Sequence, residues 1–409
     1  MIENTVLTIC REQWSVSESE KCGAVIEALR KDPAVYVVPV TDESGDPIGL
    51  IDKNAALIIA SNPLHYSVMQ NKSVRGLMQD HYMRFEESTS IDLVVNQLID
   101  EGFSLSQGGF IVTRNGQYVG VGVNTDTLNY LVEINNLRAR ELVKLNEEMT
   151  DSVKYASRIQ GGLLPRKKLL HEKLSTVDVI WEPRDIVGGD IYWRSEENNK
   201  DFFTLGLIDC TGHGVPGALL SMLVVSNLNR IYAENENINP GAALAKLGNI
   251  IRAALNQDKE NSESNDGFDA GLCKVDLINN RVIFSGARTN CFVTPKSSAT
   301  SLLRLPGERK ALGYPGSQPY ETLEEFEISL DDYKLFTMVS DGILDQPGGP
   351  KQIAFGPKRL MELIENNRDT NALALIHDLY KVATEWRKDE VRRDDLSAIA
   401  FGVLAPTEF

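Results

Sequence analysis

The sequence lacks the features that mark membrane, secreted and zinc-binding proteins. No apolar run approaches the roughly 18 residues needed to cross a bilayer. The first residues, MIENTVLTICREQWS, hold neither a basic region nor a sustained apolar core, so no secretory signal is predicted. The five cysteines show no CxxC spacing and the five histidines are scattered, which favours free thiols and argues against structural zinc. We therefore expect a cytoplasmic protein.

Clustered positive charge is also scarce. The chain carries 42 Lys and Arg against 58 Asp and Glu, a formal net charge of −16, and its basic runs RKK and VRRDD are short. Because binding to a phosphate backbone needs clustered Lys and Arg, we expect no nucleic-acid partner. Carboxylates, in contrast, are abundant enough to build an oxygen-ligated metal site.

The length of 409 residues exceeds what one hydrophobic core ordinarily accommodates, so two or three domains are expected.

Residues 1–135 consist of two comparable halves. In each half a segment with helical periodicity, KCGAVIEALRKD or SIDLVVNQLIDEG, precedes two apolar strands joined by a polar turn. In the second half that turn contains Asn115 and Gly116, and Asn-Gly between alternating apolar runs is a strong hairpin signal. The pattern predicts an internal duplication with a period of about 60 to 70 residues.

These two halves resemble a pair of cystathionine-β-synthase (CBS) motifs, a regulatory module that often binds adenine nucleotides in the cleft between its halves. The resemblance implies an α/β domain that senses a ligand. Thr125 and Asp126, in GVGVNTD, are the candidates for the hydroxyl and the acid of the family's nucleotide signature. The alternative is a dimerisation or partner-binding module that takes no nucleotide.

A long polar helix is predicted over residues 131–164, ended by Pro165. Its apolar or small residues recur in heptad register, with two more on the alternate seam position: Leu142, Met149, Ala156 and Leu163, then Leu145 and Ile159. Residues 136–165 are therefore interpreted as a linker helix. Pairing of two subunits along this helix, which would make a homodimer, is favoured over a rigid spacer.

Residues 166–409 are interpreted as one further domain. Apolar strand-like runs there include DFFTLGLIDC, YKLFTMVSD and DLSAIAFGVL, and residues 215–232 and 240–255 have the pattern of consecutive helices. Strands that follow strands directly, with helices in separate blocks, indicate an antiparallel α+β layout and argue against a parallel doubly wound sheet.

Four aspartates lie where these predicted strands begin or end. They are Asp190 after VGG, Asp209 after FFTLGLI, Asp341 after KLFTMVS, and Asp394 before DLSAIAFGV. Because antiparallel neighbours bring the end of one strand beside the start of the next, the strands ending at Asp209 and Asp341 are expected to meet the strand starting at Asp394. Clustered carboxylates need compensating positive charge. A divalent cation could supply that charge, and oxygen ligands favour Mg²⁺ or Mn²⁺ over Zn²⁺.

The segment LIDCTGHGVPG admits three roles for its polar residues: a nucleophilic thiol, a metal site or a structural turn. Pro216 fits the first turn of a helix, so the GHG turn lies at a helix N-terminus, which favours an anion. A catalytic cysteine phosphatase needs a phosphate-cradling loop that ends in arginine. No such loop follows Cys210, which excludes a thiol nucleophile.

Six motifs occur in the order and approximate spacing of the PPM-type metal-dependent protein serine/threonine phosphatases: RDIVGGDIYW, LIDCTGHGVPGALLSML, DGFDAGLCKVD, FSGART, VSDGILDQPGG and RRDDLSAIAFG. The chain is more similar to the stage II sporulation protein E-like bacterial branch, in which a helix ending like ASRIQGGLLP precedes the catalytic domain. The resemblance covers about residues 155–404. It implies an α-β-β-α sandwich that binds two divalent cations, Mn²⁺ or Mg²⁺, at one end.

Carried over motif by motif, the resemblance also implies roles for single residues. Asp190 and Asp209 would share the two metals, and Asp341 and Asp394 would complete the site. The backbone carbonyl of Cys210 would be a further ligand.

Less central roles follow for other residues. Asp395 falls at the position of a supporting polar residue, and Asp269 is a candidate ligand for an accessory metal. Arg184 could orient the substrate phosphate, or instead form a surface ion pair with Asp185.

His213 is not assigned the role of general acid. In eukaryotic relatives the histidine proposed for that role occupies the position that is Thr211 here. We therefore predict that His213 stabilises its loop.

The resemblance implies hydrolysis of phosphoserine or phosphothreonine on a regulatory protein, without a covalent phosphoenzyme and under control of the N-terminal sensor domain. An anti-sigma-factor antagonist or a similar small regulator is the expected substrate. The alternative is a non-catalytic partner-switch or nucleotide-sensing scaffold that retains the phosphatase fold.

Overall fold

The computed structural model describes residues 5–104, 108–195, 201–258, 264–316 and 319–404. The outer ends of the two predicted domains, residues 1–4 and 405–409, lie outside the described residues. The chain divides into two compact units, Met1–Glu147 and Glu148–Phe409. None of the helices in the described part of the chain is both long and apolar enough to span a membrane.

The first unit is built from short strands and helices. Its strands are β1 (Cys10–Arg11), β2 (Val16–Ser17), β3 (Val37–Thr41), β4 (Pro47–Asp52), β5 (Arg84–Glu86), β6 (Gly109–Arg114) and β7 (Gln117–Val123). Its helices are α1 (Cys22–Lys31), α2 (Lys53–Ser61), α3 (Pro63–Met69) and α4 (Ile91–Asp100), with 3₁₀ turns at Val6–Ile9 and Val74–Gly76.

The two halves of this unit repeat one plan, as the sequence predicts. In the first half β2 pairs in parallel with β3, α1 connects them, and β3 forms an antiparallel hairpin with β4. In the second half β5, α4, β6 and β7 have the same relations. The predicted turn between β6 and β7 is confirmed. Asn115 and Gly116 have φ of 52° and 84°, the positive values that a two-residue hairpin turn of type I′ requires.

A long helix, α5 (Asn124–Leu163), follows β7 directly. It begins earlier than the predicted linker boundary at residue 136, because no glycine or proline separates the end of β7 from that point. Asp126 lies in its first turn, where a carboxylate interacts favourably with the positive end of the helix dipole. Most of the predicted heptad residues are exposed along the helix, namely Leu142, Leu145, Met149 and Ile159.

The second unit consists of two antiparallel sheets and two layers of helices. Its strands are β8 (Leu174–Glu182), β9 (Ile191–Arg194), β10 (Phe202–Cys210), β11 (Phe268–Asp276), β12 (Arg281–Ala287), β13 (Cys291–Pro295), β14 (Leu303–Leu305), β15 (Phe326–Ser329), β16 (Tyr333–Val339), β17 (Pro347–Gly348), β18 (Ile353–Ala354) and β19 (Leu396–Val403). Its helices are α6 (Lys167–His171), α7 (Gly214–Glu234), α8 (Pro240–Ala254), α9 (Asp341–Leu344), α10 (Gly356–Asn366) and α11 (Ala372–Arg387).

The sheets have the strand orders β15-β12-β11-β10-β9 and β14-β13-β16-β19-β8, and each pair of neighbours is antiparallel. One apolar cluster fills the space between them, with side chains from both sheets: Leu205, Leu207, Phe284, Phe336 and Phe401. Helices α7 and α8 pack on the outer face of the first sheet, and α10 and α11 on the outer face of the second.

Strand β10 shows why the layers form. Leu205 and Leu207 point into the space between the sheets, whereas Ile208 and Cys210 point towards the helices, because successive side chains of a strand alternate between its faces. Both faces of the strand are apolar, so both must be covered. The antiparallel α+β prediction is therefore confirmed, with helices, sheet, sheet and helices as its layers.

Candidate active site

Carboxylate side chains from several parts of the second unit meet at one end of the two sheets. Asp209 is the penultimate residue of β10, Asp341 begins α9 just after β16, and Asp394 lies just before β19. Strands β16 and β19 are neighbours, as predicted. The expectation that β10 joins them is wrong, because β10 belongs to the opposite sheet. A strand that is apolar on both faces carries no signal for which sheet it enters, so Asp209 approaches from across the sandwich.

Asp209 is the centre of this cluster. Desolvation by burial raises the pKa of Asp209 well above its ordinary value, and the charges of Asp190, Asp341, Asp269 and Asp394 raise it further. Asp269 is the direct cross-strand partner of Asp209 in the β10–β11 ladder. Without a cation these groups repel one another, so burial and the neighbouring charges both favour the protonated form of Asp209.

Two carboxylate oxygens in the cluster are buried and have no hydrogen-bond partner among the described residues: Asp190 Oδ2 and Asp269 Oδ1. Asp190 is 3% exposed. Burial, followed by the charge of Asp395, raises the pKa of Asp190 to about 7. Burial also raises the pKa of Asp269, to about 6, although Arg288 opposes that shift. Buried acceptors that lack donors are costly, and a bound cation would satisfy them.

Asp395 fixes the main chain of the GGD loop that carries Asp190. Its Oδ2 atom accepts hydrogen bonds from the backbone N–H groups of Gly189 at 2.6 Å and Asp190 at 3.2 Å, and its Oδ1 atom accepts one from Arg184 at 2.6 Å. A Cβ atom at Gly188 would lie only 2.3 Å from Asp395 Oδ2. Glycine is therefore needed at position 188, because the carboxylate occupies the space of a side chain.

Cys210 contributes its main chain to the site and its side chain to the core. A Cβ atom at Gly189 would lie 2.5 Å from the Cys210 carbonyl oxygen, so the GGD loop packs closely against that carbonyl. The thiol belongs to the apolar cluster beneath α7 and α8, and burial, followed by the charge of Asp209, raises its pKa well above its ordinary value. A buried, protonated thiol is a poor nucleophile, which agrees with the exclusion made from the sequence.

The remaining predicted residues of this region lie at its surface. Asp185 Oδ2 lies 2.7 Å from His213 Nδ1, so His213 links the GHG turn to the loop before the GGD motif. Among the described residues no ion pair joins Arg184 to Asp185, whose carboxylate contacts His213. Arg184 donates from Nη1 to the carbonyl oxygen of Arg393 at 3.0 Å, which directs its guanidinium along the loop.

In the first unit, Thr125 and Asp126 lie in the first turn of α5. The Asp126 carboxylate forms an ion pair with Arg11 at 2.6 Å, and Thr125 is half-buried. Asp126 therefore already has a positive partner from the same unit.

Arg288 is a site residue to which the sequence reasoning gave no role. A small cavity of about 40 Å³ is lined by Asp209, Asp269, Asp341 and Arg288, and Arg288 Nε lies 3.4 Å from Asp269 Oδ2. Its backbone has φ of +58°, an uncommon conformation for a residue with a side chain. The motif FSGART contains this arginine directly after β12, but the motif alone does not show that the side chain reaches the carboxylates.

Gln160 is a second residue that the sequence reasoning missed. Near the end of α5 its side-chain amide is fully buried. It donates to the Gly188 carbonyl oxygen at 2.6 Å and to Ser221 Oγ at 3.0 Å. The last turns of α5 are thus bonded to the GGD loop and to α7.

The donor set fits hard divalent cations. Among the described residues no three His, Cys, Asp or Glu side chains form a preformed metal cage, yet four carboxylates surround Asp209 closely enough to shift its pKa. All of the candidate ligands are oxygens, which Mg²⁺ and Mn²⁺ prefer.

Comparison with known proteins decides the family. A sequence profile of the family described as Stage II sporulation protein E (SpoIIE) matches residues 200–404, half of the chain. The chain belongs to the SpoIIE family. The matched region contains Asp209, Asp341 and Asp394. A comparison with curated protein sequences gives no match.

Solved structures related to this SpoIIE-family chain include the SiaA-PP2C domain of Pseudomonas aeruginosa. It is 28% identical, with a TM-score of 0.55 over 64% of this chain and 100% of that chain. The PP2C phosphatase domain of SpoIIE from Bacillus subtilis, solved with a fragment of its regulatory domain, is 16% identical, with a TM-score of 0.43 over 56% of this chain and 63% of that chain. The second unit is thus a SpoIIE-type PP2C domain, and the protein is a metal-dependent protein phosphatase.

Proposed function

We propose that this phosphatase hydrolyses phosphoserine or phosphothreonine on a regulatory protein, at a site that holds two divalent cations, Mg²⁺ or Mn²⁺. The observation that carries the proposal is the group of carboxylates around Asp209, two of whose members have buried oxygens without donors. In this proposal Asp190, Asp209, Asp341 and Asp394 hold the cations.

Two further ligands belong to the proposal. The Cys210 carbonyl is one, supported by its close approach to the GGD loop. Asp269 would hold an accessory cation, supported by its unpartnered Oδ1 atom.

Divalent cations supply such a site with charge that neutralises phosphoryl oxygens and with Lewis acidity that lowers the pKa of water. The residues of the chain would bind the cations and orient the phosphoryl group. Arg288 lines the cavity beside the carboxylates, so its guanidinium is placed to hold the phosphoryl group through two parallel N–H donors. Asp395 holds the GGD loop in position. The buried Cys210 thiol takes no part, so no covalent phosphoenzyme forms on it.

Chelation and one substitution test this proposal. Release of phosphate from a phosphoserine peptide should require Mg²⁺ or Mn²⁺ and stop in EDTA. Asp341→Ala should lower kcat at least about tenfold, because the loss of one carboxylate ligand weakens the charge that holds the cations. Asp341 is exposed, so the variant should fold normally, which circular dichroism can check.

A matched control is Asp369→Ala, an exposed carboxylate 3.6 Å from Lys334, which should leave kcat unchanged. Full activity of Asp341→Ala would refute its assignment as a ligand. Failure of the full chain to bind Mn²⁺ in calorimetry would instead favour a non-catalytic scaffold.

The proposed substrate is a small phosphorylated regulator of the anti-sigma-factor antagonist type, a proposal supported by membership of the SpoIIE family. We further propose that the first unit controls the phosphatase through α5. Its support is Gln160, which joins the end of that helix to the loop that carries Asp190. The exposed heptad residues of α5, such as Leu142 and Met149, support a homodimer paired along this helix.

We propose a CBS-like sensor of adenine nucleotides for the first unit, supported by its two similarly built halves. Millimolar AMP or ATP should then raise the melting temperature of the full chain, because a ligand that binds only the folded state stabilises it. A differential scanning measurement with GMP as the control checks this. Equal melting temperatures with and without adenine nucleotides would favour a partner-binding module.

A further inference from the structure

A groove of about 690 Å³ opens beside the active-site cavity of the second unit. The described residues that line it are Arg288, Asn290, Arg304, Pro306, Gly307 and Arg309. Arg288 and Asn290 also line the cavity that contains Asp209, Asp269 and Asp341. The groove, here called the arginine groove, is therefore continuous with the place where the phosphoryl group is expected to bind.

The charge of the arginine groove is opposite to that of the chain. Three of its lining residues are arginines and none of the described ones is acidic, whereas the chain as a whole has a net charge of −16. Arg304 and Arg309 are exposed, and neither forms an ion pair with an acid in the described ranges. Two guanidinium groups therefore face solvent with their charge uncompensated.

The nearest acid along the chain is directed elsewhere. Glu308 lies next to Arg309, but its carboxylate lies 3.1 Å from Lys310 Nζ and accepts a hydrogen bond from the backbone N–H of Glu324 at 2.6 Å. The positive charge of the groove is thus not cancelled by its sequence neighbour.

Hydrogen bonds of side chains and of the main chain hold the walls of the groove in place. Asn290 Oδ1 accepts a hydrogen bond from Gly307 N at 3.3 Å and lies 3.4 Å from Arg304 Nη2. Arg288 N donates to the Glu308 carbonyl oxygen at 2.7 Å. These bonds join the segment that follows β12 to the segment that follows β14. The arginines therefore project from a fixed main chain, so binding need not order a mobile loop.

We propose that the arginine groove binds acidic side chains that flank the phosphorylated residue of the substrate protein. This inference rests on the proposed phosphoprotein phosphatase function and adds a substrate preference to it. Arginine is suited to the role because its planar guanidinium donates two parallel hydrogen bonds to a carboxylate. An acidic substrate would otherwise be repelled by the negative chain, and a local positive groove also raises its rate of association.

The test compares two phosphoserine peptides, one with Asp and Glu on both flanks and one with Gln at the same positions. The double variant Arg304→Glu/Arg309→Glu should lower kcat/KM for the acidic peptide by roughly 10- to 100-fold, mainly through KM, because two attractive charges become repulsive. Its kcat/KM for the Gln peptide and for p-nitrophenyl phosphate should stay within about twofold. Arg304→Lys/Arg309→Lys should keep only part of the preference, since the positive charges remain but the two parallel hydrogen bonds of each guanidinium are lost.

The matched control reverses two charges outside the groove. Lys358 on α10 and Lys381 on α11 are exposed and belong to helices on the outer face of the second sheet, so Lys358→Glu/Lys381→Glu changes the net charge equally. It should leave the preference for the acidic peptide intact. Salt at 0.5 M should weaken that preference in the unmodified protein, because exposed charges are screened.

Fluorescence anisotropy of the labelled acidic peptide, in EDTA to prevent turnover, separates the two hypotheses. Binding that is lost in the Arg304→Glu/Arg309→Glu variant supports the groove even if no peptide is hydrolysed, in which case the proposed function fails alone. Equal binding by the variant and the unmodified protein overturns the groove. Equal hydrolysis of both peptides by the unmodified protein also overturns it, while the phosphatase function stands.

Discussion

Asp190→Asn is expected to lower kcat by about a thousandfold, because the bound metals lower the activation barrier by several kcal/mol and the variant would hold them less well. The same substitution is expected to stabilise the metal-free protein. Both effects have one cause. Asp190 is almost fully buried and one of its oxygens has no donor. Its charge is therefore costly until a cation is bound, and in the proposed site that same charge would hold the cation.

The pH dependence follows from the direction of the shift. The pKa of Asp190 is raised to about 7 in the folded protein, against about 4 for an unfolded chain. A raised carboxyl pKa means that the ionised form destabilises the fold, so stability falls as the pH rises from about 4 to about 7. In EDTA the asparagine variant should therefore gain little near pH 4. Above pH 7 its gain should reach on the order of 2 to 4 kcal/mol, at about 1.4 kcal/mol per pKa unit.

Urea unfolding in EDTA at several pH values, beside steady-state assays with Mn²⁺, measures both effects. Asp369→Asn is the control, since that carboxylate is exposed and its neutralisation should change stability by less than about 0.5 kcal/mol. An asparagine variant that is less stable at pH 8 than the unmodified protein would show that Asp190 carries no burial penalty. Retained activity would remove it from the metal ligands.

Asp395→Ala is expected to lower kcat by about a hundredfold, because displacement of a catalytic group by about 1 Å has effects of this size, and to destabilise the protein by at least about 3 kcal/mol. The carboxylate accepts hydrogen bonds from three backbone N–H groups, those of Arg184, Gly189 and Asp190. Each buried donor left without a partner costs about 1 to 3 kcal/mol. The loop that carries Asp190 would lose its fixed position.

Asp395 is a positioning residue, so kcat and stability should both depend on how many of its hydrogen bonds a variant keeps. Asp395→Asn keeps one acceptor oxygen and should recover part of the stability. The affinity for Mn²⁺, measured by calorimetry, should fall in the alanine variant in parallel with kcat. If Asp395→Ala keeps its melting temperature and its metal affinity, the three hydrogen bonds do not hold the loop. Asp369→Ala serves again as the exposed control.

Much of the second unit could be predicted because its signals are local. Alternating apolar strands, separate helix blocks and aspartates at strand ends led to the α+β layout and to Asp209, Asp341 and Asp394, which the structure brings to one end of the sheets. The sheet to which β10 belongs could not be predicted, since both faces of that strand are apolar. The contacts of Gln160 were also hidden, because its partners Gly188 and Ser221 lie far away in the sequence.

The arginine groove could not be predicted either, because its residues come together only in the folded chain. Arg288, Arg304 and Arg309 come from two separate segments and form no charge run, so an acidic composition conceals a positive surface. In the first unit the repeated halves and the turn at Asn115 and Gly116 follow from local periodicity and turn chemistry. A ligand does not follow from them, because it would depend on side chains that the halves bring together.

Because Gln160 of α5 is hydrogen-bonded to the GGD loop, the rotation of α5 about its own axis is fixed at that end. At 1.5 Å per residue, the 40 residues of α5 measure about 60 Å, and each added residue turns the helix by about 100°. An insertion of seven residues in the exposed stretch around Leu142 would lengthen the helix by nearly two whole turns. The helix face that bears Gln160 would then keep nearly the same rotation relative to the beginning of α5. Other N-terminal domains could therefore be joined to this catalytic unit in steps of seven residues, whereas steps of two or five would turn them to another side.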